Sequence, residues 1–212
     1  LAEMTATERG GLHRYTFPAS DEAAIILDLV HGGCFDRPED LFAEAVSDTR
    51  VVGRRHSWGW SNNQKVYFVI EFSKPFDKFE PIGENGFYYR IHFKTEEGEQ
   101  IGVKVALSST SPAGAELNFS TEVKDKDFDT VRKETRAKWQ NELRKIRIYG
   151  ATEEQNEIFY TGMYHTYVAP SLFSDVDGTY RGADNEIHEN PGYHTYTTFS
   201  LWDTYRAKLP LM

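Results

Sequence analysis

The hydrophobic period of this chain changes near its middle, and no other feature constrains the fold as tightly. In the first half apolar residues alternate. Val66, Phe68, Ile70 and Phe72 fall on one side of an extended segment. Phe87, Tyr89, Ile91 and Phe93 repeat the pattern, and so do Ile101, Val103, Val105 and Leu107. A period of two over several short runs describes strands with one buried face. Ile25, Leu27 and Leu29 suggest another strand, with weaker ones over Leu41–Val46 and Arg50–Arg55. Turn chemistry separates the runs at Ser61-Asn62-Asn63, Gly83-Glu84-Asn85-Gly86 and Glu96-Glu97-Gly98. Strands at this spacing predict an antiparallel β-sandwich.

Past the middle the period lengthens. Val131, Thr135, Trp139, Leu143 and Ile146 fall at three- and four-residue steps, which predicts a helix from about Phe128 to Ile146. Asp127 or Asp129 is placed to cap it. Thr152-Glu153-Glu154-Gln155 reads as a capping box opening a second helix. Its expected buried stripe is Ile158, Phe159, Met163 and Tyr167, and Pro170 stops it. Ser174 to Gly192 reads as a long polar loop, and long loops in compact domains often carry function. Thr197 to Leu209 reads as a third helix, holding Trp202, Tyr205 and Leu209.

Composition narrows the partners. The net charge of -9 over 212 residues argues against nonspecific nucleic-acid binding, which needs a positive footprint, and suits a neutral ligand such as a sugar. Cys34 is the single cysteine, so no intrachain disulfide forms. No run of 18 apolar residues is present, so no helical membrane span is expected. The chain opens on Leu1 without an initiator Met and closes on the apolar run Leu209-Pro210-Leu211-Met212. Both ends read as positions within a longer protein.

Three constellations bear on chemistry. Asp175-Val176-Asp177-Gly178, with Glu186 at the twelfth position, resembles part of a calcium loop, but Tyr180 stands where that loop demands Gly. A tight Asp-Gly turn is the preferred reading. His165, His188 and His194 match no zinc-ligand spacing, and His165 reads as an ordinary helix histidine. Trp202-Asp203-Thr204-Tyr205-Arg206 is more specific. An indole face can stack on a sugar ring, and a carboxylate and a guanidinium can each make paired hydrogen bonds to vicinal hydroxyls. Spacing alone favours the plainer reading of a core Trp and a surface Asp–Arg pair.

Three stretches tip that balance: Ile158-Phe159-Tyr160-Thr161-Gly162-Met163-Tyr164-His165-Thr166, Ala169-Pro170-Ser171-Leu172-Phe173-Ser174-Asp175-Val176-Asp177-Gly178, and Tyr196-Thr197-Thr198-Phe199-Ser200-Leu201-Trp202-Asp203-Thr204-Tyr205-Arg206. Together they resemble the start of the catalytic domain of glycoside hydrolase family 92, bacterial exo-acting α-mannosidases. Ala106 to Glu122, with its Ser-rich turn and Asn118, resembles the end of that family's N-terminal domain.

The resemblance implies a β-sandwich N-terminal domain over about 1–122, a helical linker over 123–150 and the start of an (α/α)6 toroid over 151–212. It implies removal of terminal α-linked mannose from glycans with inversion, in a periplasmic, secreted or cell-surface setting. Inversion needs a carboxylic acid on the leaving oxygen and a carboxylate on the attacking water, roughly 6.5–9.5 Å apart. The family's acid, base and calcium ligands match no position of this chain, so no catalytic residue and no metal ligand is expected in it. Asp203 carries over as a contact to a hydroxyl of the terminal mannose, with Trp202 and Arg206 as supports. The implied partners are a mannose-containing glycan and the remainder of the catalytic domain. The alternative is a non-catalytic carbohydrate-binding β-sandwich with a helical extension.

Overall fold

The computed structural model describes residues 1–33, 35–83, 87–189, 192–206 and 208–211, with Asp203 described by its backbone only. Nine strands come first: β1 (Ala2–Ala6), β2 (Gly10–Thr16), β3 (Ser20–Asp28), β4 (Arg37–Ala45), β5 (Arg50–Trp58), β6 (Gln64–Phe72), β7 (Lys78–Ile82), β8 (Tyr88–Thr95) and β9 (Gln100–Ser108). They form a six-stranded sheet in the order β1-β2-β9-β6-β5-β4 and a three-stranded sheet in the order β3-β8-β7. Each pairing is antiparallel.

The alternation read from sequence fills the space between the sheets. Phe68, Ile70, Phe72, Ile101 and Val103 from the large sheet meet Ala23, Ile91 and Phe93 from the small one. Register sets these contacts: Val51 lies opposite Ile70, Ile70 opposite Val105 and Phe72 opposite Val103. Complete burial of Ile91 and Phe93 contributes about 1.5–3 kcal/mol each. β2 and β7 have no clear apolar alternation, and β1 alternates Ala2, Met4 and Ala6 but leaves them exposed, so a buried apolar alternation does not mark these strands. They form because neighbouring strands offer unpaired edges.

The large sheet is covered on its other face as well. Leu12, Val69 and Ala106 point away from the sandwich and pack against Ala115, Phe119, Val123 and Val131. Ala115 and Phe119 belong to α1 (Pro112–Glu122), capped by Ser111, whose side chain accepts from the Gly114 N–H. Val131 belongs to α2 (Phe128–Leu143), capped by Asp127. The approach is close: a β-carbon on Gly10 would lie 2.6 Å from Val123 Cγ1.

α3 (Glu153–Thr166) starts with the capping box anticipated at Thr152 and Gln155. Its stripe differs from expectation at Ile158, which is exposed, whereas Met163 is buried. The polar loop that follows contains a small hairpin of β10 (Tyr180–Arg181) and β11 (Ile187–His188). The helix expected over Thr197–Leu209 is instead two short pieces, α4 (Leu201–Thr204) and α5 (Lys208–Leu211). The cause is competition for the backbone. Thr197 donates its N–H to Ser171 O at 2.8 Å, and Tyr196 bridges to Leu172, so the chain stays extended there.

Candidate functional site: the junction between sandwich and helical segment

The end of β9, the turn before α1 and the loop after α3 converge on one carboxylate. Asp175 is 3% exposed. Its Oδ2 accepts from Ser108 Oγ at 2.7 Å and from Thr110 Oγ1 at 2.5 Å. Its Oδ1 accepts from Asn118 Nδ2 at 2.7 Å. Asn118 Oδ1 in turn accepts from the Val176 N–H at 2.9 Å. The carboxylate also abuts the first turn of α1, since a β-carbon on Gly114 would lie 2.3 Å from Asp175 Oδ2. The positive end of that helix therefore adds to the donors holding the charge. A buried charge persists only with such pairing.

Two arginines extend the junction. Arg9, in the β1–β2 turn, donates Nε to Ser174 O at 2.6 Å and Nη1 to Glu122 Oε1 at 2.5 Å. Burial pushes the Glu122 carboxyl up, but hydrogen bonds from Thr7 and from the Arg9 N–H and guanidinium outweigh it and hold it below its ordinary value. Arg181, on the hairpin, donates Nε to Ser109 O and Nη2 to Thr110 O, both at 3.0 Å. Asn63, in the β5–β6 turn, donates Nδ2 to Asn185 Oδ1 at 3.0 Å. At the hairpin tip the Glu186 N–H, and then His188, hold the Asp184 carboxyl low.

The residues singled out by sequence lie further along. α4 carries Trp202, which is 85% exposed. Arg206 is exposed just beyond it, with its guanidinium 5.7 Å from the Tyr205 ring centre. The side chain of Asp203 lies outside the described residues. The structure thus presents Trp202 to solvent on α4 and Arg206 to solvent in the turn that follows it. Sequence reasoning missed the Asp175 cage, because Ser108, Thr110 and Asn118 lie 57 to 67 residues before their partner. No local period marks such a relation.

Two family models account for nearly the whole chain. The glycosyl hydrolase family 92 N-terminal domain matches residues 1–108, and the family 92 catalytic domain matches residues 114–212. The chain belongs to glycosyl hydrolase family 92. Solved members share its fold. The family GH92 α-mannosidase BT3965 from Bacteroides thetaiotaomicron aligns at 33% identity over 99% of this chain and 30% of its own, with a TM-score of 0.90. The same enzyme in complex with mannoimidazole gives a TM-score of 0.89 over the same shares, again at 33% identity. The family GH92 inverting mannosidase BT2199 from Bacteroides thetaiotaomicron aligns at 27% identity over 99% of this chain and 30% of its own, with a TM-score of 0.85. None of the curated proteins matches the chain. The chain spans about 30% of the length of these structures and only part of the family 92 catalytic domain.

The family 92 seam falls between residues 108 and 114, inside the Asp175 cage. Ser108 comes from the N-terminal domain, Asn118 and Asp175 from the catalytic one, so a single carboxylate ties the two. The calcium implied by the family resemblance does not fit the described residues. Both oxygens of Asp175 are taken by hydroxyl and amide donors, and Asp177 Oδ1 accepts from the Thr179 N–H as a turn. Among the described residues no three His, Cys, Asp or Glu side chains cluster as metal ligands.

Proposed function

We propose that this chain is part of an exo-acting, inverting α-mannosidase that removes terminal α-linked mannose from glycans. The observation that carries the reading is the alignment of 99% of the chain, at 33% identity, with a family 92 α-mannosidase also solved with mannoimidazole. Asp203 contacts a hydroxyl of the terminal mannose, and Trp202 and Arg206 support it. The acid, the base and the calcium ion with its ligands lie in the part of the catalytic domain that this chain does not span. The enzyme works in the periplasm, as a secreted protein or at the cell surface, where polymeric glycans are met.

The reading is tested by extending the chain to the length of its relatives and following an α-mannobioside by NMR. The first-formed mannose should be the β-anomer, as inversion requires. Asp203→Ala should lower kcat/KM about 10- to 150-fold, the loss expected for one hydrogen bond to a charged group at about 1.5–3 kcal/mol. The 212-residue chain alone should show no turnover. Turnover by that chain alone, or an unchanged kcat/KM in Asp203→Ala, would overturn the assignment.

The competing reading, a non-catalytic carbohydrate-binding sandwich, predicts sugar affinity that survives removal of residues 151–212. The Arg9 and Arg181 contacts to and from the 171–188 segment favour the first reading, because they make that segment part of the sandwich's end rather than an appendage.

A further inference from the structure

The free end of the β4–β5 ladder presents two aromatic rings that the fold does not use. Arg37 pairs with Trp58 in the register of that ladder. One step outward, Gly59 packs so closely on Asp36 that a β-carbon on it would lie 2.9 Å from the Asp36 Cα. Phe35 and Trp60 are the residues next outward on these two touching segments. Phe35 is 94% exposed and Trp60 is 90% exposed. Among the described residues neither ring packs on another ring.

The two rings are held on firm ground. Arg55 reaches from β5 into the loop before β4 and donates Nε to Leu29 O at 2.9 Å, Nη2 to Val30 O at 3.3 Å and Nη1 to Asp36 Oδ2 at 2.6 Å. Hydrogen bonds from Arg55, then Ser57, hold the Asp36 carboxyl below the usual carboxylate range. Phe35 itself is in the left-handed region at φ 47°, where a bulky residue is strained. A large apolar side chain is thus kept in solvent on a braced, strained backbone, the reverse of what stability alone selects.

The surroundings say what such rings can hold. Next to them in sequence stand Gly33, Ser61, Asn62 and Asn63, and Asn63 is bonded to Asn185 of the catalytic-domain hairpin. Separate aromatic plates among small amides and hydroxyls do not make the contiguous apolar area that a protein partner needs. They do match a sugar, whose axial C–H groups lie on an aromatic face while its hydroxyls reach polar neighbours. An open corner also suits the part of a glycan that stays in solvent, rather than a terminal residue held for cleavage.

We propose that Phe35 and Trp60 form a platform for a sugar residue of the glycan other than the terminal mannose. The choice of glycan rests on the mannosidase reading; the platform itself rests on the geometry of this corner. The test follows the indole N–H resonances of Trp58, Trp60, Trp139 and Trp202 in the 212-residue chain as an α-linked mannotetraose is added. The Trp60 resonance should shift saturably, with a dissociation constant on the order of 1 mM. Trp60→Ala should abolish binding and Phe35→Ala should weaken it several-fold, while the remaining indole resonances stay in place and report an intact fold. A Trp60 resonance that does not move, or affinity unaffected by Trp60→Ala, overturns the platform. Hydrolysis is not part of this readout. A shifting Trp60 in a protein whose extended form cleaves no mannoside would leave the platform standing and remove the mannosidase.

Discussion

Asn118 and Asp175 hold each other through both ends of one amide: Asn118 Nδ2 donates to Asp175 Oδ1 at 2.7 Å, and Asn118 Oδ1 accepts from the N–H of the next residue, Val176, at 2.9 Å. The same Nδ2 also donates to Leu107 O at 2.8 Å. One fully buried side chain on α1 therefore bonds to the last strand of the sandwich and to the loop after α3. Replacing it with an apolar residue of similar size leaves a buried carboxylate oxygen and a backbone carbonyl short of donors. Asn118→Leu should cost about 3 kcal/mol, a fall of about 6–12 °C in Tm for a chain of this length. A Tm within about 2 °C of the wild type in calorimetry would show that the junction does not depend on this residue.

Gly114 reverses the ordinary helix rule. On an exposed helix, Gly→Ala gains about 1 kcal/mol from the lower cost of ordering the backbone. Here the new β-carbon would sit 2.3 Å from Asp175 Oδ2 and 2.6 Å from both Ser108 Oγ and Thr110 Oγ1. Gly114→Ala should therefore destabilise the chain, by about 1–3 kcal/mol in urea unfolding. A gain in stability would mean that the cage is looser than its geometry.

The Arg9–Glu122 pair makes the junction acid-sensitive. The Glu122 carboxyl is held below its ordinary value in the folded chain. A depressed acid contributes stability that is fully present above its unfolded pKa, about 4.3, and is lost as pH falls through the folded value. Two histidines act in the same direction for a different reason: burial lowers the pKa of His56 and His13, so their neutral forms favour folding and that contribution fades as pH drops below about 6.5. Glu122→Gln should be less stable than wild type at pH 7, and the gap should close below pH about 4. Parallel stability curves for the two proteins from pH 7 down to about 3 would refute this.

The helical segment exposes more apolar surface than a free domain ordinarily does. Ile158, Val168, Leu201, Trp202, Tyr205 and Leu209 are all exposed. A groove of about 560 Å³ between α2 and α3, lined in part by Leu143, Tyr160 and Tyr164, adds to it. The 212-residue chain should self-associate as its concentration rises, and paired Ile158→Ser and Trp202→Ser changes should reduce this. Sedimentation showing a clean monomer at all concentrations would count against the prediction.

Much of the sandwich was legible because each strand carries its own record. Val66–Phe72 and Ile101–Leu107 alternate, and the core between the sheets contains Phe68, Ile70, Phe72, Ile101 and Val103 as that pattern demands, while Val69 and Ala106 on the opposite face are buried by α1 and α2. Val131, Thr135, Trp139 and Leu143 likewise mark the inner side of α2, and the Thr152–Gln155 box marks the first turn of α3. These signals are local, a few residues long, and need no partner to be read. Membership of family 92 was carried by longer stretches ending at Trp202-Asp203-Thr204.

The chain alone thus determined a sandwich that gives way to helices, through the physical periods of two and 3.6 residues, and pointed to a sugar-binding motif near its end. The tertiary structure decided how the two halves meet. Asp175 reads in sequence as a turn residue; only folding brings Ser108, Thr110 and Asn118 to its oxygens. Ser171 and Thr197 are unremarkable apart, yet their backbone pairing draws the chain straight and shortens the helix expected there to α4 and α5. Such contacts satisfy buried polar groups across dozens of residues, and a buried charge accepts any donor that arrives in the right place. Their chemistry is fixed by proximity, and proximity is what a sequence read locally does not contain.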